Sequence, residues 1–289
     1  IITSSLTTIR IRKYSIDLIV DLIKKANLLS GKKKSEGVYK KDFSKNEIFS
    51  NNIKLKNISF NYGTDKKIAV NNINIDIAKG KSVGLIGKSG SGKSTLVDII
   101  IGLLEPSTGE IFIDDNNIGI KKISWQKQLG YVPQEVYLLD DTIRNNITFG
   151  IEKEEIDEKL LSDVIEKSQL KSLINSLTNK LDTLIGDRGA RLSGGEKQRI
   201  GIARALYNKP KVIVFDEATS SLDIYNENKI LKEIYENKKD KTLIIISHRN
   251  NTVKYCDLIY VMEDGKIIDN GTFEQIMKKH SYLKENVVT

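Results

Sequence analysis

The sequence predicts an α/β protein that opens on antiparallel strands and carries a helical insertion in its middle. Three observations predict it. Two alternating apolar runs over residues 53–77 have the period of half-buried strands. The later apolar runs at 212–215 and 243–246 are continuous, as in a parallel sheet covered on both faces. A glycine-rich turn joins the short apolar strand Ser82–Ile86 to an apolar helix, and strands and helices alternate from there on.

Residues 1–29 mix Ile and Leu with Arg and Lys, and Ile9, Tyr14, Ile16, Leu18, Ile19, Leu22 and Ile23 share one face in a loosely helical pattern. Residues 30–50, with the run Gly31-Lys32-Lys33-Lys34, follow neither period and read as a linker. Ile53, Leu55, Ile58, Phe60 and Tyr62 then alternate, as do Ile68, Val70, Ile73, Ile75 and Ile77 after a polar turn, so the two runs are expected to pair antiparallel. A helix is expected over 94–104, stopping before Pro106, with further helices over 152–177 and 196–207.

The 289 residues carry 46 Lys and Arg against 38 Asp and Glu. The excess is local: residues 1–56 hold 13 basic and 5 acidic side chains, and the remainder holds 33 of each. A uniformly basic domain would point to nucleic acid, whereas a basic flank on a neutral body suits either a negatively charged membrane face or a solvated linker. A single cysteine, Cys256, excludes a disulfide scaffold, and the two histidines, His248 and His280, are too far apart to share a zinc site without further ligands. No uncharged apolar run nears the ~20 residues that span a bilayer, the longest, 95–104, being interrupted by Asp98. The chain starts at Ile1, with no signal-peptide pattern, and is expected to be a piece or subunit of a larger protein.

Gly87-Lys88-Ser89-Gly90-Ser91-Gly92-Lys93-Ser94 fits G-x-x-x-x-G-K-[ST] between a strand and a helix. Glycines let successive backbone N–H groups turn inward around phosphates, the helix N-terminus adds partial positive charge, and Lys93 reaches the outer phosphates. Ser94 is expected to offer a hydroxyl to Mg²⁺. The strand at 212–215 ends in Asp216 and Glu217, the first suited to hold the Mg²⁺ shell and the second to deprotonate an attacking water. Ser193, Gly194, Gly195 and Glu196 open another helix, a second anion site. With two phosphate cradles in one chain, the economical arrangement is two chains packed head to tail, each second cradle closing on the nucleotide held by the other.

In this order and spacing the motifs resemble the nucleotide-binding domains of ATP-binding cassette (ABC) proteins over roughly residues 51–289. The resemblance implies a P-loop NTPase (RecA-like) core with an antiparallel β-subdomain and a helical subdomain, here about 135–208. Tyr62 matches the aromatic that stacks on adenine, Gly87 through Thr95 the Walker A loop, and Gln134 the glutamine that senses Mg²⁺ and couples to the membrane domain. Leu192 through Arg199 match the signature, Asp216 and Glu217 the Walker B pair, Ser221-Leu222-Asp223 the D-loop, and His248 the switch histidine. Glu196 stands where the family usually has Gln, and Ser221 where it usually has Ala. With Glu217 and His248 both present, the resemblance implies an ATP-hydrolysing, Mg²⁺-dependent half able to dimerise with its own copy.

Lys93 and Leu192 lie 99 positions apart without sustained heptads, unlike chromosome-maintenance relatives, which insert a long coiled coil there. Ile185-Gly186-Asp187-Arg188-Gly189 resembles the charged loop by which exporters read the partner's membrane domain. An exporter is therefore expected, on the cytoplasmic face of the cell membrane. Its membrane domain would be fused N-terminally, with residues 1–29 as the cytoplasmic end of the last membrane helix, and no nucleic acid as partner. The leader at 1–10 is also similar to that of bacterial lipid-linked oligosaccharide flippases and polysaccharide exporters; peptide, lipid and drug cargo stay open. A free-standing subunit docking on a separate permease and a soluble ABC ATPase outside transport are the alternatives.

Overall fold

Strands β1 (Asn52–Asn61) and β2 (Ile68–Ala78) pair antiparallel, with Ile53 opposite Ile77, Leu55 opposite Ile75, Ile58 opposite Ile73 and Phe60 opposite Val70. Between the second and third pairs β1 advances three residues against two; between the third and fourth β2 does the same. Each extra residue is accommodated at an asparagine in the left-handed region, Asn57 (φ 52°) and Asn72 (φ 50°), a conformation Asn tolerates better than most residues. The bulged amides are satisfied, Asn57 N–H donating to Asn74 Oδ1 (2.9 Å) and Asn72 N–H to Ser59 Oγ (2.9 Å). These slips explain why the buried set runs Ile53, Leu55, Ile58 and Val70, Ile73, Ile75 rather than keeping strict alternation. Strands β4 (Thr108–Ile113) and β5 (Asn116–Asn117) complete a sheet in the order β2-β1-β4-β5.

The model is a computed structural model and describes residues 49–63, 68–218, 224–236, 238, 241–247 and 249–280. The expected leader helix, most of the 30–50 linker, Ser221, Leu222, Asp223 and His248 lie outside the described residues.

The second sheet has the order β10-β9-β3-β8-β7-β6. Strands β3 (Ser82–Ile86), β6 (Leu129–Val132), β7 (Val212–Asp216), β8 (Thr242–Ile246) and β9 (Leu258–Glu263) are parallel, and β10 (Lys266–Gly271) folds back antiparallel on β9. Every residue of β3, β7 and β8 is buried, and successive residues enter opposite cores: Val212, Val214, Ile244 and Ile246 face one cluster, Ile213, Phe215, Leu243 and Ile245 the other. Burial of each such side chain contributes about 1.5–3 kcal/mol, which is why these runs carry no polar alternation.

The first cluster lies between the two sheets and includes Leu96, Val97, Ile99 and Ile100 of helix α1 (Lys93–Ile100). Helix α2 (Ile118–Gln126) closes it with the fully buried Trp125, whose Nε1–H donates to Ile100 O (2.8 Å) and whose ring meets Phe49 edge-on at 5.9 Å. Phe49 is held there because the Asp114 carboxylate accepts the next three backbone amides, Ser50, Asn51 and Asn52 (2.8, 2.7 and 3.0 Å). On the other face, between β6 and β7, come α3 (Ile143–Ile147), α4 (Glu158–Lys167), α5 (Lys171–Ser176) and α6 (Gly194–Tyr207). Helices α7 (Ile224–Glu236), α8 (Asn250–Val253) and α9 (Phe273–Lys279) complete the α-helices among the described residues.

Two expectations are adjusted. The helix expected over 94–104 ends at Ile100, because Gly102 (φ 74°) takes the left-handed turn. Gly102 N–H then donates to Ile99 O (3.1 Å) and Leu103 N–H to Asp98 O (2.8 Å), the paired bonds of a Schellman motif. The helical stretch over 152–177 is broken: Asp157 caps α4 through Leu160 N–H (3.0 Å), and Gln169 (φ 57°) separates α4 from α5.

Candidate functional site

The loop from Gly87 to Gly92 connects β3 to α1 and is pinned by close backbone approaches. A Cβ at Gly87 (φ 150°) would collide with Met262 O, and one at Gly92 (φ 98°) with Ala69 O, so only glycine fits either place. Ser91 O accepts Gly265 N–H (3.1 Å) and Gly265 O accepts Asn71 N–H (2.8 Å), latching the loop to the β9–β10 turn and to β2.

Lys93, only 5% exposed, bends back over the loop and donates from Nζ to Gly87 O and Lys88 O, both at 2.9 Å. Burial lowers its pKa, and the carboxylates of Glu217 and Asp216 work against that lowering. The next residue, Ser94, donates from Oγ to Asp216 Oδ1 (3.3 Å) at the tip of β7. Tyr131 Oη on β6 donates to Asp216 Oδ2, also at 3.3 Å. Burial pushes the Asp216 carboxyl up; the Tyr131 hydrogen bond opposes it, and the Glu217 charge adds to it. Burial, and then the charges of Asp216 and Asp98, raise Tyr131 far above an ordinary phenol, so its hydroxyl remains a donor.

Glu217 leaves the strand in the left-handed region (φ 51°), its N–H held by Ile246 O (3.0 Å). Its Oε2 accepts Gln134 Nε2–H at 3.0 Å. The backbone O of Gln134 in turn accepts Gln198 Nε2–H (3.3 Å) from α6, so the glutamine beside the carboxylate is tied to the helix that begins at the signature. Tyr62, 56% exposed, stands edge-on to Phe60 at 4.9 Å with its Oη 3.1 Å from Thr95 Oγ1.

An open cleft of about 760 Å³ gathers these groups. Of the residues expected from sequence, Tyr62, Ser89, Gly90, Gly92, Lys93, Ser94, Thr95, Gln134 and Glu217 line it. Gly87, Lys88 and Ser91 form the underside of its loop through the contacts of Lys93, and Asp216 reaches it through Ser94. Ser193, Gly194, Gly195 and Glu196 do not line this cleft. They open α6 as a reciprocal cap, Ser193 N–H and Oγ–H donating to Glu196 Oε2 (2.7 and 2.8 Å) while Glu196 N–H donates to Ser193 Oγ (3.3 Å).

The cleft also includes residues the sequence did not single out: Ile68, Ala69, Asp264 and Gly265. Asp264 (φ 45°) and Gly265 (φ 76°) form the two-residue turn of the β9–β10 hairpin, for which Asp-Gly is the sequence signal. Tyr131 has no such signal, because its partner is distant in the chain; Gln198 falls within the signature match at 192–199, which does not reveal its contact with Gln134 O.

Comparison with known proteins finds relatives of the sequence and of the fold. The model of the family described as ABC transporter matches residues 70–220. ATP-binding cassette sub-family B member 5 of Mus musculus is 39% identical over 235 residues, covering 81% of this chain and 19% of its own length. The alpha-hemolysin translocation ATP-binding protein HlyB of Escherichia coli O157:H7 is 39% identical over 232 residues, covering 80% and 33%. The solved structure of a bacterial Atm1-family ABC exporter with ATP bound superposes with a TM-score of 0.78 at 31% identity, covering 82% of this chain and 42% of that one. The chain belongs to the ABC transporter family and corresponds to its ATPase domain. It spans a third or less of the length of these curated relatives.

Proposed function

We propose that this chain binds and hydrolyses Mg·ATP to power export across the cytoplasmic membrane. The supporting observation is the convergence of Lys93, the Ser94–Asp216 pair and the Gln134–Glu217 pair on one cleft. Lys93 lies where it can exchange two loop carbonyls for phosphate oxygens, and Glu217 is oriented by Gln134 to take the proton of an attacking water. A hydroxyl, a carboxylate and a carboxamide suit a hard, oxygen-seeking cation such as Mg²⁺, which would supply charge neutralisation at the outer phosphates. Ser94, Asp216 and Gln134 would hold it.

The signature residues 193–196 lie outside the cleft of their own chain, which supports a head-to-tail dimer in which they close on the partner's nucleotide. ATP would then act through its differential affinity for the closed arrangement. Among the described residues no helix is long and apolar enough to cross a membrane. A membrane domain is proposed to be fused N-terminally, with the ATPase domain on the cytoplasmic face; the relatives are three or more times the length of the region they share with this chain, which leaves room for such a domain. The D-loop Asp223 and the switch His248 complete this site as proposed.

The test is an immunoblot of source cells with an antibody raised to residues 51–289. A band near twice this chain's 32.6 kDa, retained in membranes through an alkaline wash, is the expected result. A band near 33 kDa that washes off would assign a separate subunit, and a fully soluble protein would overturn transport.

A further inference from the structure

The Asp216 carboxylate is held from two sides by hydroxyls of different origin. Ser94, on the loop side, donates to Oδ1; Tyr131, on the neighbouring strand, donates to Oδ2, each at 3.3 Å. Strand β6 is parallel to β7, with Tyr131 opposite Val214 and Val132 opposite Phe215, so the phenol leans along the strand direction to reach the tip of β7. Its ring packs against the cluster that contains Val214 and the apolar face of α1, while Val132 next to it enters the opposite core. The side chain is thus fixed by packing and half-buried, and it does not line the nucleotide cleft. Asp216 itself is 8% exposed, so water has little access to take the place of a lost donor.

We propose that Tyr131 is a positioning residue for the metal shell: by holding Oδ2 from behind, its hydroxyl fixes the plane of the Asp216 carboxylate and presents the remaining oxygen toward Ser94 and the cleft. The inference rests on the reading of Asp216 as a Mg²⁺ partner. It assigns to Tyr131 no contact with nucleotide or metal. Groups one step behind a metal ligand typically set its affinity by about 10–100-fold, and a hydrogen bond of this length belongs at the lower end.

The experiment uses the full chain and a fluorescent ATP analogue, measuring its Kd across a Mg²⁺ titration and again in excess EDTA. Tyr131→Phe removes the hydroxyl and keeps the packed ring. The Mg²⁺ concentration for half-maximal enhancement of binding is expected to rise about 10-fold, with the EDTA Kd unchanged. An unshifted Mg²⁺ midpoint would overturn the inference and leave the ATPase reading standing. Equal weakening with and without Mg²⁺ would also overturn it, since the hydroxyl would then support the cleft as a whole. Wild-type binding indifferent to Mg²⁺ would overturn the metal reading of Asp216, and the role of Tyr131 with it.

Discussion

Glu217→Gln separates chemistry from binding because the structure lets the shape survive. Gln134 donates from Nε2 to Glu217 Oε2 at 3.0 Å, and an amide at position 217 keeps a carbonyl oxygen in reach of that donor. The left-handed backbone there costs an amide about what it costs a carboxylate, so the turn after β7 is unchanged. What disappears is the proton acceptor and one negative charge beside Asp216 and Lys93. Burial is the main cause of the raised Asp216 pKa and the Glu217 charge adds to it, so the variant leaves Asp216 more readily ionised. ATP affinity should therefore hold within a few-fold. Loss of a general base costs about 10²–10⁴ in turnover, or about 3–5 kcal/mol of barrier. Phosphate release at saturating Mg·ATP, paired with a direct Kd, reads both quantities on the same preparation. Turnover above about a tenth of wild type, a barrier change under ~1.4 kcal/mol, would refute Glu217 as the base.

Three further outcomes follow from other parts of the structure. Tyr62→Ala should weaken ATP by ~1–2 kcal/mol, the lower part of the base-stacking range; an unchanged Kd would put the adenine elsewhere. Ser193→Ala removes two of the three bonds that cap α6, so denaturant unfolding should lose about 1 kcal/mol and the amides of 194–197 should exchange faster, while ATP affinity of the single chain stays put; undiminished stability would show the cap to be idle. Asp257 is partly buried, which alone would raise its pKa, but the hydrogen bonds from Ser82 Oγ and N–H and from Lys238 outweigh burial and hold the carboxyl well below its usual range. A depressed folded pKa contributes stability above the unfolded value of about 3.9 and loses it as pH falls toward the folded one, so the melting gap between wild type and Asp257→Asn should narrow below about pH 4; a constant gap would refute the linkage.

What the sequence revealed depended on how far apart the interacting residues lie. The β1–β2 pair and the fully buried strands of the parallel sheet were legible because burial on one face or both leaves a local period. The bulges at Asn57 and Asn72 were not, since a shift of register is defined only against the opposite strand. The stop of α1 at Gly102 was in principle readable, but Pro106 is the louder breaker and hid the quieter glycine turn. At the site, the loop from Gly87 to Ser94 announces itself because backbone geometry demands glycine and chemistry demands lysine within eight positions. Tyr131 had no such voice: its hydroxyl acts on a carboxylate 85 residues away. Ser193 and Glu196 were read as an anion site, and the structure adds that the same pair caps its own helix.

Trp125 is the only tryptophan in the chain. It is sealed from water and bonded to Ile100, the last residue of the helix that starts at Lys93. The protein therefore contains its own optical gauge: the indole emission comes from one place, in an apolar environment, at the far end of the rod whose near end opens on the cleft. A nucleotide that shifts this rod alters the colour or yield of that emission without any label, and a nucleotide that only fills the cleft leaves the emission as it was.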